Sequence, residues 1–280
     1  MIKELSKGVY RCVAAVLNRV FVPLENSVLN TSVRLFPGHF RRRMERAIDR
    51  GLHYFETVQS WETDPLVAFT QFVDERDDPR LGMIRPVIDQ YRRDWKNPFL
   101  RLFDRNYDPQ IDGANCPNEY HPPALHSELM VKCVQADRLG LDDGFLDELR
   151  MIDDDGGYGS THVLLGCVLL KQFSRIPHER LDTMIADTIM PIVRAQRFAR
   201  ISDILSERTV FLQWQGYQRH VQPAWIARIV RGQRADGGWF WNRPPFRTSS
   251  YQHPSCLAIA AMLRFRKDFY GDRGHASSDH

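Results

Sequence analysis

Three histidines, His121, His162 and His253, each stand near the start of an apolar, helix-like run, and Asp64 and Asp203 hold the same place in two further runs. Imidazole nitrogens and carboxylate oxygens are the ligands that zinc and non-haem iron accept. A set of His121, His162, His253 and Asp64 therefore suits one divalent metal ion, zinc or iron, with an open position to activate water, oxygen or a substrate oxygen. The competing reading is local, because Asp is a favoured helix N-cap and Thr63, Thr161 or Ser202 can cap equally well. Histidine caps poorly, which favours a chemical use of the three imidazoles. His126, five residues after His121, is a candidate second ligand or general base, the alternative being a hydrogen-bonded core histidine. Tyr120 is its candidate acid partner, with Glu119 and Glu128 close by. Glu62, His126 and Glu207 are the reserves if the register of the runs slips by one turn.

Two of the histidines follow a repeated turn. Asp155-Gly156-Gly157-Tyr158 leads to Thr161-His162, and Asp236-Gly237-Gly238-Trp239 leads to Ser250-Tyr251-Gln252-His253. The paired glycines suit tight turns of positive φ, and no phosphate-loop lysine follows them, so nucleotide binding is not expected. Trp61, Tyr158, Trp239, Phe240 and Trp241 lie in the adjoining loops, where they either line an apolar substrate pocket or staple the turns.

The elements that must position these residues read as helices throughout. Met44, Ala47, Ile48, Leu52, Phe55 and Val58 recur at three-and-four spacing, which predicts an amphipathic helix over 41–59. Val9 to Phe36 predicts a packed helical pair. Thr63-Asp64-Pro65 predicts a capped start for the helix Leu66 to Val73. Further helices are predicted over 83–103, 124–136, 144–152, 162–173, 180–196, 203–215, 223–233 and 255–266, with no convincing strand. The pattern gives about six helical hairpins, the second helix of each richer in small apolar residues (LLGCVLL, CLAIAAML). An outer ring of amphipathic helices around an inner buried ring satisfies it, so the fold class is all-α and the architecture an α/α toroid. It spans residues 1–270 as a single domain, followed by a flexible C-terminal tail, 271–280.

The stretch Ala227 to Trp239, ARIVRGQRADGGW, resembles the QW motif of terpenoid cyclases and the related repeats of protein prenyltransferase β subunits. Tyr251-Gln252-His253-Pro254 is similar to the prenyltransferase segment whose histidine ligates zinc, with Gln252 as an additional residue. The resemblance covers about residues 140 to 265 and implies the toroid superfamily of those enzymes. It also implies a lipophilic or isoprenoid-like small molecule as substrate. The activity motifs differ: Asp153-Asp154-Asp155 lacks the DxDD spacing of the cyclase acid, and no Asp-x-Cys zinc pair occurs.

At 280 residues, 43% of them hydrophobic, the chain is long enough for a sizeable core. A net charge of +3, with basic residues interspersed among acidic ones, does not suggest a nucleic-acid partner. Cys12, Cys116, Cys133, Cys167 and Cys256 form no CxxC pair and read as reduced thiols of a cytoplasmic protein. Peripheral membrane contact through the apolar N-terminal segment and Arg41, Arg42 and Arg43 is one expectation. The leading functional reading is a metal-dependent enzyme using the histidine and aspartate set. The alternatives are a metal-free lyase or hydrolase with histidine and tyrosine as base and acid, and a non-catalytic binding toroid. Substrate identity, reaction and oligomeric state have no signature in these residues.

Overall fold

A computed structural model describes residues 2–122, 124–199, 203–240 and 250–271, with side chains from residue 19 onward. Pro123, Ser202, Trp241, His275, His280, the Cys12 side chain and residues 272–280 of the expected tail lie outside the described residues. The chain is all-α: twelve α-helices are assigned among the described residues, with one two-residue parallel strand pair. It divides into two compact units, Met1–Thr57 with Val193–His280, and Val58–Ile192.

In the first unit, α1 (Ile2–Leu35) and α2 (Pro37–Thr57) precede the long excursion into the second unit. The sequence predicts a pair before Phe36, whereas α1 is one 34-residue helix running through Pro23. A proline removes a single N–H donor. Beyond it α1 is tied down by Asn26, whose Nδ2 donates to the Arg197 carbonyl at 3.2 Å, and by Asn30, whose Oδ1 accepts from Ala224 N at 2.8 Å. Phe40, Met44, Ala47, Ile48, Gly51, Leu52 and Phe55 form the buried stripe of α2 that the spacing predicts.

The rest of this unit comprises the end of α9 (His178–Gln196), α10 (Asp203–Trp214), α11 (Pro223–Gly232) and α12 (Gln252–Phe265). Helices α10 and α12 pack against each other, and both are buried around nearly their whole circumference. Small residues on α12, among them Ser255, Cys256, Ala258, Ala260 and Ala261, allow neighbouring helices to approach. Helix α2 packs on α12, and α11 packs on α1, α2 and α12.

The second Asp-Gly-Gly turn acts as a staple between these helices. Gln233 Nε2 donates to the carbonyls of Ala47 (2.7 Å) and Gly237 (2.8 Å), and the buried Trp239 indole donates to the Ile229 carbonyl at 2.7 Å. Trp239 thereby serves the turn, the second of the two roles its sequence position suggests.

The second unit holds α3 (Thr63–Val67), α4 (Ile84–Asp94), α5 (Leu125–Val134), α6 (Ala136–Leu139), α7 (Gly144–Arg150), α8 (Tyr158–Phe173) and most of α9. Here the single helix expected over 83–103 is broken. Trp95-Lys96 forms strand β1, paired in parallel with β2 (Asn118–Glu119), and a 3-10 turn follows at Pro98–Leu102. Pro98 lacks an N–H, and the Asn97 side chain accepts from Phe99 N at 2.9 Å, so a new turn begins there instead of the helix continuing.

Arg101 organises this unit's polar interior. Its side chain is almost fully buried, donates to the carbonyls of Val134 (2.6 Å) and Arg105 (3.0 Å), grips both carboxylate oxygens of Asp137 (2.7 and 2.9 Å), and lies over the Phe173 ring. The Arg101 guanidinium holds the Asp137 carboxyl below the ordinary carboxylate range. Arg101→Met is expected to lower stability by about 2 to 3 kcal/mol, because it leaves the buried Val134 carbonyl without its donor, while the more exposed Asp137 turns to water. Urea unfolding checks this, and a loss under about 1 kcal/mol would refute the organising role.

Candidate functional site

The residues singled out in the sequence fall into both units. In the second unit, α3 begins at Thr63 and not at Leu66, so Asp64 is the second residue of that helix; it is exposed. Thr63 does not cap the helix; its Oγ1 meets the Tyr91 hydroxyl at 2.9 Å and accepts from Asn97 Nδ2 at 3.0 Å. Burial, then the nearby Asp64 carboxylate, pushes the Tyr120 phenol up, against a hydrogen bond with Ser127. Tyr120 is thus held as a neutral hydroxyl with its ring edge-on to Phe99.

His121 is exposed in the extended segment after β2, and α5 starts four residues later at Leu125. His126 is the second residue of α5, and its ring centroid lies 5.0 Å from that of His162. His162 is the fifth residue of α8. Its Nδ1 lies 2.8 Å from the Tyr158 carbonyl. A carbonyl only accepts, so Nδ1 carries the proton and Nε2 holds the lone pair of the neutral ring.

The two repeated turns share a serine. In the first, Gly156 N donates to Ser160 Oγ at 2.6 Å, and Ser160 N donates to Asp154 Oδ1 at 3.1 Å. In the second, Trp239 N donates to Ser255 Oγ at 2.8 Å, while Asp236 accepts from Gly238 N and from both Ser250 N and Oγ. Aligned on these serines, His162 stands two residues after the brace and His253 two before it. The difference is about one helical turn, or roughly 6 Å of rise.

His253 belongs to the first unit, where it meets two buried carboxylates. Asp203 opens α10, and Glu207 lies one turn further along the same face. Both carboxylates are almost fully buried, and His253, the second residue of α12, sets its Nε2 3.6 Å from Glu207 Oε2. That separation is longer than a hydrogen bond and makes the contact an ion pair whenever His253 is protonated. Asp203 Oδ2 is buried with no hydrogen-bond partner among the described residues. Burial pushes the Asp203 carboxyl up to about 6; Glu207 adds to the rise, and the Ile204 N–H and His253 oppose it.

Comparison with known proteins finds no matching family model, no matching curated protein and no matching solved structure. Among the described residues, no group of three or more His, Cys, Asp and Glu side chains is arranged to hold a metal ion.

The sequence pattern pointed to His253 and held Glu207 in reserve, and it placed Asp203 among the caps. The signal that joins them is the i, i+4 pair of carboxylates inside DILSERTVFLQW. Carboxylates one turn apart on a helix with no solvent-facing side must share a buried environment. The cysteines carry no comparable chemistry: burial pushes the Cys133 thiol upward and the Cys167 thiol up to about 12, which leaves both unreactive near neutral pH.

Proposed function

We propose that this chain is an α/α-toroid enzyme that moves protons to and from a small-molecule substrate through Asp203, Glu207 and His253. The observation that carries this reading is the Asp203 carboxyl, buried beside a second carboxylate and an imidazole and titrating at about 6. A carboxyl poised there donates and accepts protons under physiological conditions with little energetic mismatch. Two carboxyl groups one helical turn apart offer separate groups for the acid and base roles. His253 is the most exposed of the three, with 16% of its side chain accessible, so it is the group that exchanges protons with a substrate, while Glu207 sets a carboxylate oxygen 3.6 Å from its Nε2.

The toroid part of the proposal draws on the burial pattern. Helices α8, α10 and α12 are buried on almost all sides, as inner helices are, whereas α2 buries one face, as outer helices do. A lipophilic substrate follows only from the resemblance to terpenoid cyclases and prenyltransferases.

The test is turnover of prenyl diphosphates, polyprenols and oligosaccharides, followed by mass spectrometry, with Glu207→Gln and His253→Gln in parallel. One substrate class should be consumed, with kcat lower by about a hundredfold or more in each variant at an unchanged thermal midpoint. Turnover that survives both substitutions at the wild-type rate would remove these residues from the chemistry.

A further inference from the structure

Helix α1 is amphipathic in the inverse sense. Its inward face carries Asn26 and Asn30, whose amides are spent on Arg197, Gln222 and Ala224 of the same unit, with Val22 and Val33 beside them. Its outward face carries Val20, Phe21, Leu24, Val28 and Leu35, and Phe36 follows at the link to α2; each is between 59% and 68% exposed. A helix resting on a protein core ordinarily places its side chains the other way round. The outward residues border an open groove of about 690 Å³ whose lining includes Phe21, Leu24, Val28, Phe36, His39 and Arg43. A contiguous apolar surface of this kind marks an interaction site.

The charge around the groove selects the partner. Arg34, Arg42 and Arg43 are all exposed on the same two helices. The neighbouring acids are already engaged, Glu25 with Arg228 and Arg231, and Glu45 with Arg41 and Arg266. The face is therefore apolar at its centre and cationic at its rim. A symmetric second copy would set these arginines against themselves, whereas anionic lipid headgroups neutralise them while the acyl region receives the side chains. Among the described residues no helix is long and apolar enough to cross a membrane, so contact by this face is interfacial.

From these features we infer that the outer face of α1 and the start of α2 form a docking surface for an anionic membrane. Phe21, Leu24, Val28 and Phe36 enter the interface, and Arg34, Arg42 and Arg43 pair with lipid phosphates. The surface is separate from the buried carboxylate site and does not depend on how that site works.

Flotation of the full chain with vesicles of phosphatidylcholine alone, and of phosphatidylcholine mixed with phosphatidylglycerol, tests it. The protein should float with the mixed vesicles, far less with the neutral ones, and less as salt rises. Arg42→Gln with Arg43→Gln should weaken binding by about fivefold per charge removed. Phe21→Glu with Leu24→Glu should abolish it at an unchanged circular dichroism spectrum, since both side chains are exposed. Wild-type protein that floats with neither vesicle, or variants that bind as wild type does, would overturn the assignment. So would a dimer in sedimentation velocity that Phe21→Glu and Leu24→Glu convert to monomer without any vesicle binding.

Discussion

Asp203→Asn is expected to stabilise the protein at about pH 7.5, by as much as about 3 kcal/mol, and to flatten its stability profile between about pH 4 and pH 6. The sign follows from the direction of the shift. The folded-state carboxyl titrates at about 6, above its ordinary value of 3.8, so between those values the native chain binds more protons than the unfolded chain. The stability contributed by the neutral carboxyl is complete below the unfolded value and is lost as pH rises through the folded one. Asparagine keeps the shape and the bond to the Ile204 N–H but cannot ionise, so the loss disappears with the carboxyl. Urea unfolding across this range in wild type and variant measures it. A variant whose stability falls with pH as steeply as wild type would show that Asp203 is not the buried acid. Paired with loss of turnover, a gain in stability would mark the group as one kept for function at a cost to the fold.

Gly159→Ala is expected to be among the most destabilising single substitutions in the second unit, by about 4 kcal/mol or more. Gly159 lies in the first turn of α8, and a Cβ there would fall inside the van der Waals envelope of the Ile152 carbonyl oxygen and reach the Asp154 carboxyl carbon at 3.2 Å. The backbone oxygen cannot rotate away, so relief requires the loop before α8 to move, and with it Asp154 and the bond to Ser160 N. Gly140→Ala is the control, since Gly140 has φ of +63° and open space around it. That change should cost only about 1 kcal/mol of left-handed backbone strain. Thermal or urea unfolding distinguishes the two, and a Gly159→Ala midpoint close to that of Gly140→Ala would contradict the packing described.

Much of the secondary structure was legible because helical periodicity is a local property. The stripe from Met44 to Phe55 and the small apolar run from Cys256 to Leu263 each matched the helix that formed. The reading failed where a local signal had a nonlocal competitor. Met83 to Phe103 carries helical spacing, but Trp95 and Lys96 pair with Asn118 and Glu119, more than twenty residues away in sequence. The helical pair expected over Val9 to Phe36 is instead one helix, held beyond Pro23 by Asn26 and Asn30, whose partners come from the distant residues 197 to 224. The metal set of His121, His162, His253 and Asp64 still rests on the sequence pattern alone. The structure adds that His121 and Asp64 are exposed and that His162 Nδ1 faces the Tyr158 carbonyl.

The sequence by itself determined that the chain is helical, that its Asp-Gly-Gly turns recur, and that polar residues gather at the starts of apolar helices. Side-chain period and turn chemistry depend on neighbours within a few residues. Only the tertiary structure decided which of those polar residues share an environment. Asp203, an ordinary cap by its sequence position, becomes a buried acid because α10 is enclosed and Glu207 lies one turn away. His253 joins them across the α10–α12 packing, over a separation of more than forty residues. Desolvation and proximity set proton affinity, and both are properties of the packed chain.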